Sequence, residues 1–255
     1  ARLRRLDPEA SITVLEKGRS LSYAGCGMPY FLGGVVPDYR SLTSTSLGIE
    51  RDAAFFRKVK HVDVLIRHQA TRIDRERRTV TALDLESGQE RAFPYDALVL
   101  ALGAQPIRPQ VPGVDLAGVF SLGTLEDALA ISRALEEGTV RRAVVVGSGL
   151  IGLEMVEALK HRGVEVSVVE LLDRPLGTLF DQDFGALVAR GLERHGVAFF
   201  GGERVTALEG EGGRVTAVRT DRRELPADLV LLAVGVRPSV DLAREAGLKI
   251  GPSGG

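Results

Sequence analysis

Gly147, Gly149 and Gly152 stand in G-x-G-x-x-G spacing within AVVVGSGLIGLEMVEAL, and Glu170 follows Gly152 by 18 residues. These are the residue types that a pyrophosphate and a ribose require. Gly147 permits a tight turn, Gly149 lets backbone approach the pyrophosphate, and Gly152 lets helix and strand pack closely. The helix opening at Leu150 and Ile151 offers unpaired N–H groups and a partial positive charge to phosphate oxygens. Glu170 is positioned to take both ribose hydroxyls. The motif alone is weak. Its context, after a strand-like Val144-Val145-Val146 and before a helical run, reads as a dinucleotide-binding βαβ unit.

The plan is read twice. SITVLE (residues 11–16) is strand-like and ends on Glu16, as SVVE ends on Glu170. In the later unit the acid lies 23 residues after its first glycine, and 23 residues before Glu16 falls outside the chain. The expectation is a first dinucleotide unit whose strand and glycine loop precede Ala1. Both ends look cut, the start inside a helical pattern and the end on IGPSGG. YDALVLALGAQPIRP and ADLVLLAVGVRPSV form an internal repeat: an acid, a buried strand, a glycine turn at Gly103 or Gly235, then proline. Two nucleotide-binding domains of one plan are expected, the second inserted into the first. They would take residues 1–110 and 111–236, with 237–255 returning to the first.

The remaining elements follow from periodicity. Residues 1–9 read as the tail of an amphipathic helix with Leu3 and Leu6 on one face. The stretch 20–50 is loop-rich, with a short helix near 29–32, and 52–60 is a helix. Residues 62–66, 70–74, 79–84 and 90–94 alternate as strands of a small meander, and 95–102 is a buried strand. Pro106, Pro109 and Pro112 mark a linker. A helix over 125–137 opens on the cap Thr124-x-x-Asp127. Helices are expected at 182–195 and 241–246, an alternating region at 197–225 and a buried strand at 228–234.

Composition excludes several classes. A net charge of −1 with 26% charged residues does not indicate nucleic acid or an anionic membrane as partner. No apolar run reaches the roughly 18 residues of a membrane span, and no leader is visible. One cysteine excludes an internal disulfide framework and fits a reducing cytoplasm. His61, His68, His161 and His195 have no acid or cysteine at ligand spacing, so no metal is expected.

At these residues the chain resembles the FAD-dependent pyridine nucleotide-disulfide oxidoreductases. The resemblance implies an α/β fold of two Rossmann-like dinucleotide-binding domains, glutathione-reductase-like, with the NAD domain inserted into the FAD domain. It implies FAD contacts at Glu16, Lys17, Ala70, Leu102, Gly103 and Ala104. NADH would be held by Gly147, Gly149, Leu150, Ile151, Gly152, Glu154, Glu170 and Gly235, with NADPH as the alternative donor. Leu171 and Leu172 after Glu170 favour NADH, while Arg174 lies close enough to leave NADPH open. The family's first glycine loop, its later Gly-Asp segment and its dimerisation domain would lie outside this chain. These residues alone are therefore expected to bind FAD weakly, and the full-length parent to be a homodimer.

The segment SLSYAGCGMPYFLGG resembles the single-cysteine branch: coenzyme A disulfide reductases, persulfide reductases and NADH oxidases. Cys26 would be the redox residue. A free cysteine is often only a small buried hydrophobe, but Gly25, Gly27 and Pro29 argue against a regular core element. A helix start over 27–32 would favour the thiolate. One cysteine forms no internal disulfide, so its oxidised state would be a mixed disulfide or a sulfenic acid. The first suits a coenzyme A disulfide or persulfide; the second suits reduction of oxygen or peroxide. A third reading is a non-catalytic nucleotide-sensing or electron-transfer fold with an incidental thiol. The resemblance places coenzyme A phosphates at Arg5 with Ser22, and further at Arg2 and Lys60. Gly25 stands where that group often has Asn.

Overall fold

The computed structural model describes residues 2–252 and 254. The backbone divides into two compact units: one takes residues up to 24, 39–104 and from 238 onward, the other residues 25–38 and 105–237.

In the first unit, α1 (Arg2–Leu6) leads to β1 (Thr13–Leu15). Residues 25–38 belong to the second unit: a 3₁₀ turn over Gly25–Gly27 runs into α2 (Met28–Leu32). The chain returns through α3 (Arg40–Thr43), α4 (Ala53–Lys60), β2 (Asp63–Leu65), β3 (His68–Asp74), β4 (Thr79–Asp84) and β5 (Glu90–Pro94). Asp52 caps α4 by accepting from the Phe55 N–H at 2.7 Å, and His61 ends it in the left-handed conformation at φ 51°. Strands β3, β4 and β5 form the expected antiparallel meander.

Three expectations are corrected here. The run 62–66 forms β2 but leaves the meander and pairs in parallel with β1, Val14 opposite Val64. Period-2 alternation identifies a strand without naming its partner. Leu3 and Leu6 of α1 are exposed, so their shared face covers no core. Residues 98–103 form no strand, and Leu98, Val99 and Leu102 are exposed, Val99 to 81%. An apolar run becomes a strand only where a neighbour accepts its ladder bonds, and among the described residues none does.

The second unit continues through β6 (Ala104–Pro106), β7 (Val119–Ser121), α5 (Leu125–Glu136), β8 (Arg142–Val146), α6 (Leu150–His161), β9 (Glu165–Glu170), α7 (Gln182–Arg194) and β10 (Ala198–Gly201). An antiparallel sheet of β11 (Val205–Glu211), β12 (Arg214–Thr220) and β13 (Glu224–Pro226) follows, then β14 (Leu229–Leu232) and β15 (Val236–Pro238). Helix α8 (Asp241–Glu245), which belongs to the first unit, closes the order and packs on β3 of that same unit. The expected cap on α5 is present as a full capping box, with Asp127 also accepting from the Thr124 N–H at 2.8 Å.

Five parallel strands in the order β10-β9-β8-β14-β7 make the central sheet. Val144, Val146, Val169, Val230 and Leu232 pack with Leu208, Val215 and Val218 of the antiparallel sheet. Val145 and Leu231 alternate with them and so face the other way, the side on which α5 and α6 supply the fully buried Leu125, Ile131, Met155 and Leu159. Each such side chain contributes about 1.5–3 kcal/mol. Asp228 ties the sheet's starting edge: its Oδ2 accepts from the N–H groups of Arg141 and Arg142 at 2.9 and 2.8 Å.

The internal repeat has an unexpected outcome. Only its second copy forms the buried strand, yet the tripeptides after the two glycines, β6 and β15, pair with each other. The Ile107 N–H donates to the Gly235 carbonyl and the Ser239 N–H to that of Gly103.

Candidate functional site

Strand order reverses between β8 and β14, the place where open α/β sheets leave a ligand crevice beyond their strand ends. The glycine loop lies there. Gly147 has φ +101°, and a Cβ on it would stand 2.4 Å from the Ala233 carbonyl oxygen after β14. A Cβ on Gly152 would stand 2.1 Å from the Gly147 carbonyl oxygen. Both glycines are therefore demanded by backbone packing. Gly149 differs: a Cβ there would meet nothing within 4 Å, and the residue is the N-cap of α6 without any side-chain cap. The space beside Gly149, at the start of a 12-residue helix with no side-chain cap, is thus open, and helix N-termini are where phosphate oxygens bind. Leu150 and Ile151 are exposed beside it, as is Glu154 one turn on.

Glu170 ends β9, and its carboxylate is held from two sides. Oε2 accepts from the Ser148 N–H at 2.7 Å and from its hydroxyl at 2.8 Å; Oε1 accepts from the Leu172 N–H at 2.9 Å. Ser148 is fully buried. A carboxylate offers about four lone-pair positions, so capacity remains for a ribose hydroxyl. The loop after Glu170 folds back onto the glycines: Leu176, left-handed at φ 54°, donates its N–H to the Ser148 carbonyl. Gly235, also at positive φ, is exposed beyond β14.

Cys26 lies in the same unit, exposed, in the 3₁₀ turn that enters α2. Met28, Pro29 and Leu32 bury one side of α2. A Cβ on Gly33 would come within 3.2 Å of the Ala158 Cα, so α2 seats closely on α6, the helix that carries the glycine loop at its start.

In the first unit Glu16 follows β1 and repeats the geometry of Glu170, accepting from the N–H two residues on, Gly18, at 2.6 Å. Lys17 is exposed, Ala70 half-buried on β3, and Leu102, Gly103 (φ +70°) and Ala104 run exposed into β6. Arg4 brings α1 to α4 by donating to the His61 carbonyl from Nε at 3.2 Å and Nη2 at 2.8 Å. This sets Arg2 and Arg5 on a helix docked at the end of α4 where Lys60 lies. Lys60 stands over the Phe55 ring, 5.5 Å from its centroid. Ser22 is half-buried in the loop after β1. Among the described residues no group of three or more His, Cys, Asp or Glu side chains is placed to hold a metal, and no helix is long and apolar enough to cross a membrane.

The sequence matches the family described as pyridine nucleotide-disulphide oxidoreductase over residues 1–255. The chain belongs to that family. It is 33% identical over 249 residues to an NADH oxidase of Methanocaldococcus jannaschii, covering 98% of this chain and 54% of that protein. It is 34% identical over 254 residues to a CoA-dependent NAD(P)H sulfur oxidoreductase of Pyrococcus furiosus, again covering 54% of that protein. Among solved structures, an NAD-dependent persulfide reductase from A. fulgidus superimposes with a TM-score of 0.96 at 41% identity, over 99% of this chain and 46% of that one. The chain thus spans about half the length of the relatives it matches. The α/β class with Rossmann-type nucleotide units is the fold of this family.

Three residues that shape these sites were not singled out from the sequence. Ser148 carried a signal, as the hydroxyl residue between the first two glycines of the motif. Arg4 and the buried Glu203 had no sequence signal, since their partners lie in other elements.

Proposed function

We propose that this chain is the nucleotide-binding part of a flavoprotein in which NAD(P)H reduces a coenzyme A disulfide or a related persulfide through Cys26. The observation that carries the proposal is the sharing of α6. Its N-terminus forms the glycine loop, and its flank seats the helix behind an exposed, sole cysteine.

The domain allotment follows: residues 1–110 and 237–255 for FAD, residues 111–236 for the nicotinamide nucleotide. Glu16 fits the flavin nucleotide's ribose, because its bond to the Gly18 N–H repeats the bond of Glu170 to the Leu172 N–H. Lys17, Ala70 and the segment Leu102–Gly103–Ala104 complete that surface. When bound, FAD supplies two-electron transfer from nicotinamide to sulfur.

Gly149 and the start of α6 hold the pyrophosphate of the nicotinamide nucleotide, Glu170 its ribose, and Glu154 lies toward the nicotinamide. The Cys26 thiolate attacks one sulfur of the disulfide; a protein–coenzyme A disulfide forms and one coenzyme A thiolate leaves. Two electrons from the nicotinamide nucleotide then break the new S–S bond, releasing the second thiolate and restoring that of Cys26. Overall NADH, a proton and one disulfide give NAD⁺ and two thiols. Arg5, Ser22, Arg2 and Lys60 hold coenzyme A phosphates.

The relatives named NADH oxidase support a second reading, in which Cys26 cycles through a sulfenic acid with oxygen or peroxide. Mass spectrometry of the purified full-length protein decides between them. One coenzyme A on Cys26 supports the disulfide reaction; one added oxygen supports the oxidase. Unmodified Cys26, with Cys26→Ser retaining full turnover, rejects both.

A further inference from the structure

The corner of the nucleotide site beyond Glu170 contains two arginines in different states. Arg174, the cation nearest in sequence, is committed. Its Nη1 pairs with Asp173 at 2.9 Å, its Nη2 donates to the Gly177 carbonyl at 3.3 Å, its Nε is buried without a partner among the described residues, and its stem lies against α7. A Cβ on Gly185 would stand 2.8 Å from its Cδ. Arg222, which lies 52 positions after Glu170 in sequence, reaches the same corner from the β12–β13 hairpin. A Cβ on Gly202 would stand 3.8 Å from its Nη2. Gly202 donates its N–H to the Leu172 carbonyl at 2.8 Å, and Leu172 donates its own to the Glu170 carboxylate. Arg222 is exposed, and its guanidinium has no hydrogen bond or ion pair among the described residues.

The hairpin that presents it is fixed in place. Glu203 is 2% exposed and accepts from the Thr220 hydroxyl at 2.8 Å and from Arg223 at 2.9 and 3.2 Å. Thr220 Oγ1 in turn accepts from the N–H groups of Arg222 and Arg223 at 3.1 and 2.9 Å. The Glu203 N–H donates to the Glu170 carbonyl at 3.0 Å. A buried carboxylate therefore locks the Arg222 turn to the backbone of the ribose-binding residue.

We infer that Arg222 is the specificity residue for a phosphate on the adenosine ribose, so that the site accepts NADPH beside NADH, while Arg174 only shapes the loop. An exposed guanidinium with unused donors can pair a phosphate dianion; one whose two Nη groups are held by a carboxylate and a carbonyl, and whose Nε is buried, presents none to it. The inference rests on the glycine loop being the nucleotide site.

Binding of NAD⁺ and NADP⁺ to the FAD-loaded full-length protein that contains this chain, measured by calorimetry without turnover, tests it. Arg222→Gln is expected to weaken NADP⁺ about tenfold and leave NAD⁺ within about twofold, and Arg222→Lys to recover part of the loss. Arg174→Gln is expected to lower the melting temperature and leave the ratio of the two affinities unchanged. An unchanged ratio in Arg222→Gln, a ratio that moves with Arg174→Gln instead, or a wild type that binds NAD⁺ but not NADP⁺ overturns the assignment. Loss of both nucleotides from the wild type overturns the glycine-loop reading as well.

Discussion

The Ser148 hydroxyl and the Ser148 N–H donate to the same oxygen of Glu170, at 2.8 and 2.7 Å. The turn after β8 is thereby fastened to the end of β9, and the carboxylate is oriented before any ribose arrives. Ser148→Ala removes one of these bonds and keeps the other. The expected loss is about 1 kcal/mol of stability, with nucleotide affinity falling severalfold because Glu170 gains rotational freedom. Thermal melting and calorimetric titration of NAD⁺ check this; an unchanged affinity means that the hydroxyl only fills space.

The glycines of the loop separate two roles. Alanine at Gly147 or Gly152 would put a methyl 2.4 or 2.1 Å from a carbonyl oxygen, and at Gly147 in a left-handed backbone as well. Each is expected to destabilise by about 1–3 kcal/mol or more, through displaced backbone. Gly149→Ala meets nothing within 4 Å at an ordinary φ of −72°. It is expected to fold with an unchanged melting temperature and to raise the KM for the nucleotide, since the methyl intrudes where phosphate approaches. Parallel melting curves and KM values for the three variants make the comparison.

Asp228 predicts an acid limb of stability. Burial raises its pKa and is the largest single influence. The N–H groups of Arg141 and Arg142, with the Arg142 guanidinium, together outweigh burial and hold the carboxyl below its ordinary 3.8. The folded state therefore binds this proton less readily than the unfolded chain. The stabilisation is complete above the unfolded value and fades as pH falls through the lower folded value. Asp228→Asn is expected to unfold more easily in urea at neutral pH, with the gap to wild type narrowing below about pH 4. A gap that stays constant with pH contradicts the charge argument.

The sequence made the second unit more legible than the first, for a physical reason. Val144 to Val146, Gly147 to Gly152 and Glu170 are contiguous or joined by one helix, so their pattern carries their contacts. The β14 strand was read correctly because both flanking strands are present to pair it. The homologous run at 98–102 reads the same and stays exposed, since strand formation depends on a partner that its own residues do not encode. Parallel pairing of Val14 with Val64 joins segments 50 residues apart and leaves no local trace. Arg222 is invisible for the same reason: its neighbourhood is set by the Thr220–Glu203 bond across a hairpin.

The seating of α2 on α6 also makes the sulfur a practical reporter. A dye coupled to Cys26 would ride on a short rod braced against the barrel of a longer one, whose far tip carries the loop proposed for the dinucleotide. Its brightness would then register occupancy of the loop with no chemistry taking place.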